Sequence, residues 1–72
     1  MKTISGKRMS ALLQRKGWYL VRTTGSHHIF VHPGSNLRIS VPVHGNHDLK
    51  AGLQRTIMRQ ADLTENDIRE RA

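Results

Sequence analysis

The first periodic segment of the chain has the spacing of an amphipathic helix. Met9, Leu12 and Leu13 fall at positions i, i+3 and i+4, which places them on one side of an α-helix. Ser5 is of the residue type that caps a helix amino terminus, and Gly17 stands where a left-handed residue would end the helix. The pattern therefore predicts an α-helix between Ser5 and Gly17.

Three segments with the composition of β-strands follow. Residues 18–23 and 27–31 are rich in aromatic and β-branched side chains, as strands are. Residues 37–43 alternate apolar and polar side chains, which indicates a strand with one face in water. Pro42 has no amide hydrogen, so we expect this third strand at an edge of its sheet. Thr-Gly-Ser at residues 24–26 predicts a turn between the first two strands.

A second helix is predicted after the strands. Leu49, Leu53, Ile57 and Ala61 recur at every fourth residue, which gives this helix an apolar stripe. Asp48 precedes the stripe and is placed to cap the helix.

The predicted element order is α-β-β-β-α, and short turns make the three strands antiparallel. Such a sheet packs one face on the two helices, so we expect a two-layer α+β fold. A chain of 72 residues forms one domain, here residues 1–72, in which residues 65–72 make a short charged C-terminal tail. Residues 64–67 resemble a capping box at the start of that tail. The expected core residues are Met9, Leu12, Leu13, Trp18 or Leu20, Ile29, Val31, Ile39, Val41, Leu53 and Ile57.

Charge distribution narrows the class of partner. The chain has 12 Lys and Arg against 5 Asp and Glu, a net charge of +7. Residues 1–61 hold ten basic side chains and one acidic one, a balance of +9, whereas residues 62–72 hold two basic and four acidic, a balance of −2. A body this cationic favours a polyanion such as nucleic acid, or an acidic protein. No stretch combines a strongly apolar face with a lysine-rich one, so a membrane surface is not expected as a partner.

Cysteine and hydropathy further limit the class of protein. The chain has no cysteine, and therefore neither disulfides nor thiolate ligands for a metal. No apolar run approaches the length of a membrane span, and the first residues lack the apolar core of a signal peptide. We therefore expect a cytoplasmic protein.

The stretch TGSHHIFV, residues 24–31, carries the candidate chemistry. Gly25 lets the backbone approach a ligand, and turn amides beside the Ser26 hydroxyl can hold a phosphate oxygen. Imidazole titrates near neutral pH, so His27 or His28 could take a proton from a ribose 2′-hydroxyl, which then attacks phosphorus. This reaction would cleave RNA without a metal ion. From the residues alone, surface or packing histidines are the competing interpretation.

Strand alternation separates the two histidines, and a second histidine pair raises a metal alternative. His27 shares one strand face with Ile29, whereas His28 lies on the other. His44 and His47 have the spacing of a zinc-binding pair, but they lie in a glycine-containing loop and not on a helix that would fix both rings. We therefore expect no metal and no other cofactor, and we interpret His44 as a solvated turn residue.

The sequence resembles the HicA toxins, the small mRNA-interferase half of HicA–HicB toxin–antitoxin pairs. The matching stretches are residues 16–18, 22–30, 41–45, 48–57 and 60–61. The resemblance extends from about residue 7 to residue 64, in the order and spacing of the family.

This resemblance implies a fold like that of double-stranded-RNA-binding domains and ribosome-independent cleavage of mRNA without a metal. It also implies neutralisation by a HicB-type antitoxin that covers the active face. The functional histidine of the family corresponds to His27, with Gly25 and Ser26 in the supporting turn; members with asparagine there keep a second histidine, which corresponds to His28. Family members often have glycine where this chain has Asp62, so we expect the second helix to continue past that position.

The combined hypothesis is an endoribonuclease toxin that inhibits translation and growth. His27 is its general base, with His28 as the second choice, and either His28 or a lysine protonates the leaving group. The alternatives are a non-catalytic module that binds double-stranded RNA by shape, and a protein whose basic surface serves only an acidic partner. The predicted substrate-binding residues are Gly25, Ser26, Lys7, Arg8, Arg22 and Arg38.

Overall fold

A computed structural model describes residues 2–69 of the chain and has the predicted α-β-β-β-α order, followed by one short additional helix. No helix in this part of the chain combines the length and hydropathy that a membrane span requires. The elements are α1 (Gly6–Arg15), β1 (Tyr19–Thr24), β2 (His27–Val31), β3 (Ile39–Pro42), α2 (Ala51–Ala61) and α3 (Glu65–Arg69).

Helix α1 begins and ends as its sequence predicts. The Ser5 hydroxyl accepts a hydrogen bond from the Arg8 amide at 3.1 Å, which satisfies one amide that the first turn leaves unpaired. At the other end Gly17 has a φ of +92°, and the Trp18 amide donates to the Leu13 carbonyl at 3.0 Å. A left-handed glycine followed by this bond is a Schellman ending, which turns the chain into β1.

The three strands form an antiparallel sheet in the order β1-β2-β3. Strand β3 lies at an edge, as Pro42 predicts. Phe30 of β2 stands opposite Leu20 of β1 and Ile39 of β3. Residues directly opposite one another in antiparallel strands share a face, so this row lies on the face that meets the helices, which we call the inner face.

The prediction of which β2 residues enter the core is wrong. Phe30 is fully buried, whereas Ile29 and Val31 lie on the opposite, outer face and are only half-buried. Three consecutive apolar residues show no alternation, so the sequence does not fix the inward face. Of the alternatives Trp18 and Leu20, the buried residue is Trp18, which immediately precedes β1, whereas Leu20 on the strand is 43% exposed. The other confirmed core predictions are Met9, Leu12, Leu13, Ile39, Val41 and Ile57.

Asp48 does not cap α2, contrary to the prediction. It forms a β-bridge with Ser5 and accepts a hydrogen bond from the Thr3 hydroxyl at 2.8 Å. Helix α2 begins after Lys50, whose side chain makes no cap hydrogen bond. Asp48 instead helps to hold the amino-terminal segment of the chain against the segment that precedes α2.

Leu49, Ile57 and Ala61 of the predicted apolar stripe are buried as expected, but Leu53 is not. Leu53 is 38% exposed, whereas Gln54 and Met58 are buried. The Gln54 amide group accepts a hydrogen bond from the Ile4 amide and donates one to the Lys2 carbonyl, both at 2.8 Å. Its burial is therefore compensated, because both of its polar atoms have partners.

The end of α2 also differs from the expectation. Asp62 itself adopts the left-handed conformation, with a φ of 58°, and the helix stops at Ala61. Aspartate tolerates this region better than most residues with a Cβ atom, so the missing glycine does not extend the helix.

The predicted capping box opens α3. The Thr64 amide donates to Asp67 Oδ2 at 2.8 Å, and the Asp67 amide donates to the Thr64 hydroxyl at 3.3 Å. The bond from the Thr64 backbone holds the pKa of Asp67 below its ordinary value, with help from the Thr64 hydroxyl and Lys16. Ile68 is buried in the core, so α3 packs onto the domain. Residues 70–72 of the predicted charged tail lie outside the described residues.

Candidate functional site

The turn between β1 and β2 is built around a left-handed glycine. Gly25 has a φ of +59°, and a Cβ atom there would meet no atom within 4 Å. The left-handed backbone conformation, and not a lack of room for a side chain, therefore favours glycine at this position. Ser26 follows, and its carbonyl accepts a hydrogen bond from the Val43 amide at 2.7 Å. This hydrogen bond connects the turn to the segment that follows β3.

His27 is the first residue of β2 and its side chain is exposed. It stands opposite Thr24 of β1 and Pro42 of β3, on the outer face of the sheet. His27 Nδ1 lies 3.3 Å from Ser40 Oγ. When Nδ1 carries the hydrogen of the neutral ring, it donates to Ser40 Oγ and leaves the Nε2 lone pair free to accept a proton.

Two guanidinium groups lie on the same outer face. Arg22, Arg38 and Ser40 line one open pocket together with Thr24 and Ile29. Guanidinium groups match the geometry of phosphate oxygens. The structure therefore brings two of the predicted phosphate-binding residues, Arg22 and Arg38, beside the serine that contacts the His27 ring.

His28 lies on the opposite, inner face. It stands between Thr23 and Val41 in the sheet register, and Val41 is fully buried. The His28 side chain is half-buried, and it does not share a face with Arg22 or Arg38. The sheet therefore divides the two adjacent histidines between its two sides.

Lys7 and Arg8 belong to the helical layer and do not join the pocket on the outer face. Lys7 is exposed in the first turn of α1. Arg8 is half-buried, and its Nη2 donates to the Ile68 carbonyl at 3.3 Å, where it holds the end of α3. The start of α1 packs closely against the end of β3, so that a Cβ atom on Gly6 would overlap the Pro42 carbonyl. Lys7 is therefore placed near one end of the sheet.

Sequence reasoning missed two residues of the site, Ser40 and His44. Ser40 could have been found, because strict alternation in the third strand puts it on the wet face with Arg38. His44 is exposed, and its Nε2 lies 3.4 Å from Ser26 Oγ. No local pattern predicts that contact, because 18 residues separate the two partners.

His32 packs outside this site, whereas His47 lines a groove together with His44. The His32 ring packs on Trp18 with ring centroids 5.2 Å apart, and its Nδ1 accepts a hydrogen bond from the Gly34 amide. His47 lies in the loop after β3, where its amide donates to the His44 carbonyl. Between residues 2 and 69, no three His, Cys, Asp or Glu side chains form a group that could hold a metal ion.

Comparison with known protein families gives one match. A family described as the HicA toxin of bacterial toxin–antitoxin systems matches residues 6–63. The match spans 58 of the 72 residues and includes α1, the whole sheet and α2. No curated protein matches the chain significantly.

Proposed function

The chain belongs to the HicA toxin family of bacterial toxin–antitoxin systems, and on that basis we propose that it is an endoribonuclease that cleaves mRNA. Cleavage of mRNA would stop translation and thereby growth. The observation that carries the proposal is the placement of His27 on the same open sheet face as Arg22 and Arg38. A base and two phosphate-binding cations on one exposed face are groups that metal-free cleavage of an RNA phosphodiester can use.

In the proposed reaction His27 Nε2 takes the proton of a ribose 2′-hydroxyl. The 2′-oxygen then forms a bond to the adjacent phosphorus, and the bond from phosphorus to the 5′-oxygen of the next nucleotide breaks. Arg22 and Arg38 neutralise charge on the phosphate oxygens, while the Gly25 amide and the Ser26 segment position the scissile group. DNA has no 2′-hydroxyl and is not a substrate for this chemistry.

Other contacts place the RNA backbone but do not select its sequence. Lys7 is proposed to contact a flanking phosphate from the amino terminus of α1. Arg8 is the weaker of the two helix candidates, because its guanidinium already donates to the Ile68 carbonyl. His28 is the second choice as base, and its position on the inner face argues against it.

We further propose that the partner in the toxin–antitoxin pair is a HicB-type antitoxin that covers the outer sheet face. Residues 1–61 carry a net charge of +9, so an acidic protein surface would be attracted to the toxin by the same charges that attract RNA. Covering Arg22, His27 and Arg38 would block the substrate directly.

The proposal is tested by incubating labelled single-stranded RNA, and DNA of matching sequence, with wild type, His27→Ala and His28→Ala in excess EDTA. Circular dichroism checks that each variant is folded. Wild type is expected to cut RNA and spare DNA, with a loss of about 100-fold or more in His27→Ala and substantial activity in His28→Ala. If all three bind RNA and none cuts it, with or without added zinc, the protein is a binding module and the enzyme proposal is wrong. If none binds RNA, its basic surface serves a protein partner alone.

A further inference from the structure

We infer that His44 is the general acid of the proposed reaction and that Ser26 holds its ring in place. The inference rests on the proposed function, since a general acid is needed only if the chain cleaves RNA. It extends that function because it names the side chain that protonates the leaving group.

The sheet register brings His44 to the same end of the domain as His27. Pro42 stands directly opposite His27, and the Val43 amide donates to the carbonyl of Ser26 at 2.7 Å. His44 is the next residue, and its Nε2 lies 3.4 Å from Ser26 Oγ. Ser26 therefore connects the two histidines: it precedes His27 in the chain and contacts His44 through its hydroxyl.

The contact with Ser26 occupies only one ring nitrogen of His44, so the other can donate a proton to the leaving group. A protonated imidazole has two N–H donors, and Nε2–H can donate to Ser26 Oγ while Nδ1–H remains free. His27 and His44 are both exposed, so both rings are open to a bound RNA strand. His28, the alternative acid among the histidines, lies on the inner face.

The proton balance of the step is complete with these two histidines. The 2′-hydroxyl proton passes to His27 as the bond from the 2′-oxygen to phosphorus forms. The 5′-oxygen takes the Nδ1 proton of His44 as its bond to phosphorus breaks. The products are a 2′,3′-cyclic phosphate and a 5′-hydroxyl, and the two rings return to their starting states by proton exchange with water.

The surroundings of His44 contain other charged groups. His44 lines a groove with His47, Asp48 and Lys50, and the Asp48 carboxylate already accepts a hydrogen bond from the Thr3 hydroxyl. Lys50 is the competing acid in this groove. An ammonium ion is a weaker acid than an imidazolium ion, so an imidazolium is the better proton donor to the leaving 5′-oxygen.

A substrate with a sulfur leaving group tests the assignment. In RNA with a 5′-bridging phosphorothioate the leaving group is a thiolate, which departs without protonation because thiols are far stronger acids than alcohols. Wild type, His44→Ala and His27→Ala are compared on this RNA and on ordinary RNA of the same sequence. His47→Ala is the matched control, since it removes a histidine from the same loop and groove.

His44→Ala is expected to lose about 100- to 10,000-fold in rate on ordinary RNA and to recover to within about tenfold of wild type on the sulfur substrate. His27→Ala should be impaired on both substrates, and His47→Ala on neither. Equal losses of His44→Ala on both substrates would overturn the assignment, as would full activity on ordinary RNA. If His44→Ala is unfolded by circular dichroism, His44→Gln is used with the same criteria. Failure of wild type to cut either RNA would instead refute the enzyme proposal itself.

Discussion

The Nδ1 atom of His27 lies 3.3 Å from the Oγ atom of Ser40 on the neighbouring strand. The two residues are diagonal neighbours on the outer face, since His27 stands opposite Pro42 and Ser40 is two residues earlier in β3. Diagonal pairs are within reach of long side chains. This contact can fix both the orientation of the ring and the nitrogen that carries its hydrogen.

Ser40→Ala removes this contact without altering the core, because Ser40 is exposed. We predict a fall in kcat of about fivefold, the equivalent of one neutral hydrogen bond of about 1 kcal/mol, with little change in KM. Ser40→Thr keeps the hydroxyl and should restore most of the rate. Steady-state kinetics on a fluorogenic RNA measures both constants. A rise in KM alone would show that Ser40 contacts RNA and does not position His27.

Gly6→Ala should destabilise the domain, because the added Cβ would overlap the Pro42 carbonyl. Forcing an atom into packed backbone costs about 1–3 kcal/mol, and the shift of β3 should also reduce RNA cleavage. The matched control is Gly52→Ala in α2, where a Cβ meets no atom within 4 Å and alanine favours the helix by up to about 1 kcal/mol. Urea denaturation followed by circular dichroism compares the two. Equal stability of the variants would show that α1 and β3 are not in contact as described.

Gln54→Leu tests how the amino-terminal segment is held. The substitution leaves the Ile4 amide without its acceptor in the core, and an unsatisfied buried donor costs about 1–3 kcal/mol. Gln60→Leu, on the exposed side of the same helix, should change the free energy of unfolding by less than about 0.5 kcal/mol. The prediction fails if urea midpoints show that both variants are equally stable.

Asp67 should make the stability of the domain depend on pH. Its folded pKa is lowered, chiefly by the hydrogen bond from the Thr64 backbone, so the ionised carboxylate stabilises the folded state. This contribution is complete above the unfolded pKa of about 3.9 and is lost as the pH falls through the lower folded pKa. Asp67→Ala should therefore have a lower Tm than wild type at pH 7, with a difference that shrinks below about pH 3.9.

Asn66→Ala is the control for that measurement, because it removes an uncharged side chain from the same helix. Asn66 Oδ1 accepts a hydrogen bond from Arg69, and the amide side chain of asparagine has no ionisable proton. Its Tm difference from wild type should stay constant with pH. A constant difference for Asp67→Ala as well would contradict the assigned role of its carboxylate.

Local sequence patterns predict where the helices and strands lie, but not in every case which of their faces is buried. Ser5 and Gly17 marked the ends of α1 because caps depend on neighbouring backbone atoms. Phe30 and Gln54 were missed because their burial depends on distant partners. The Gln54 side chain, for example, bonds to an amide 50 residues away, and no periodicity contains that information.

The arrangement of the candidate site follows from the sequence only in part. The sequence identified the turn that holds Gly25, Ser26 and His27, since turn chemistry is local. It did not identify Ser40 or His44, which reach that turn only through the pairing of β2 with β3. Sequence reasoning thus finds the residue proposed as base, and the sheet register supplies its neighbours.

If His27 activates the ribose 2′-hydroxyl as the nucleophile, cleavage must leave a characteristic pair of ends on the RNA. End-group analysis of the RNA fragments made by the wild-type protein identifies these ends. We predict 5′-hydroxyl ends together with 2′,3′-cyclic phosphates, or the 3′-phosphates formed when these are hydrolysed. Fragments with 5′-phosphate and 3′-hydroxyl ends would show that water attacked the phosphorus, and His27 would then not activate a 2′-hydroxyl.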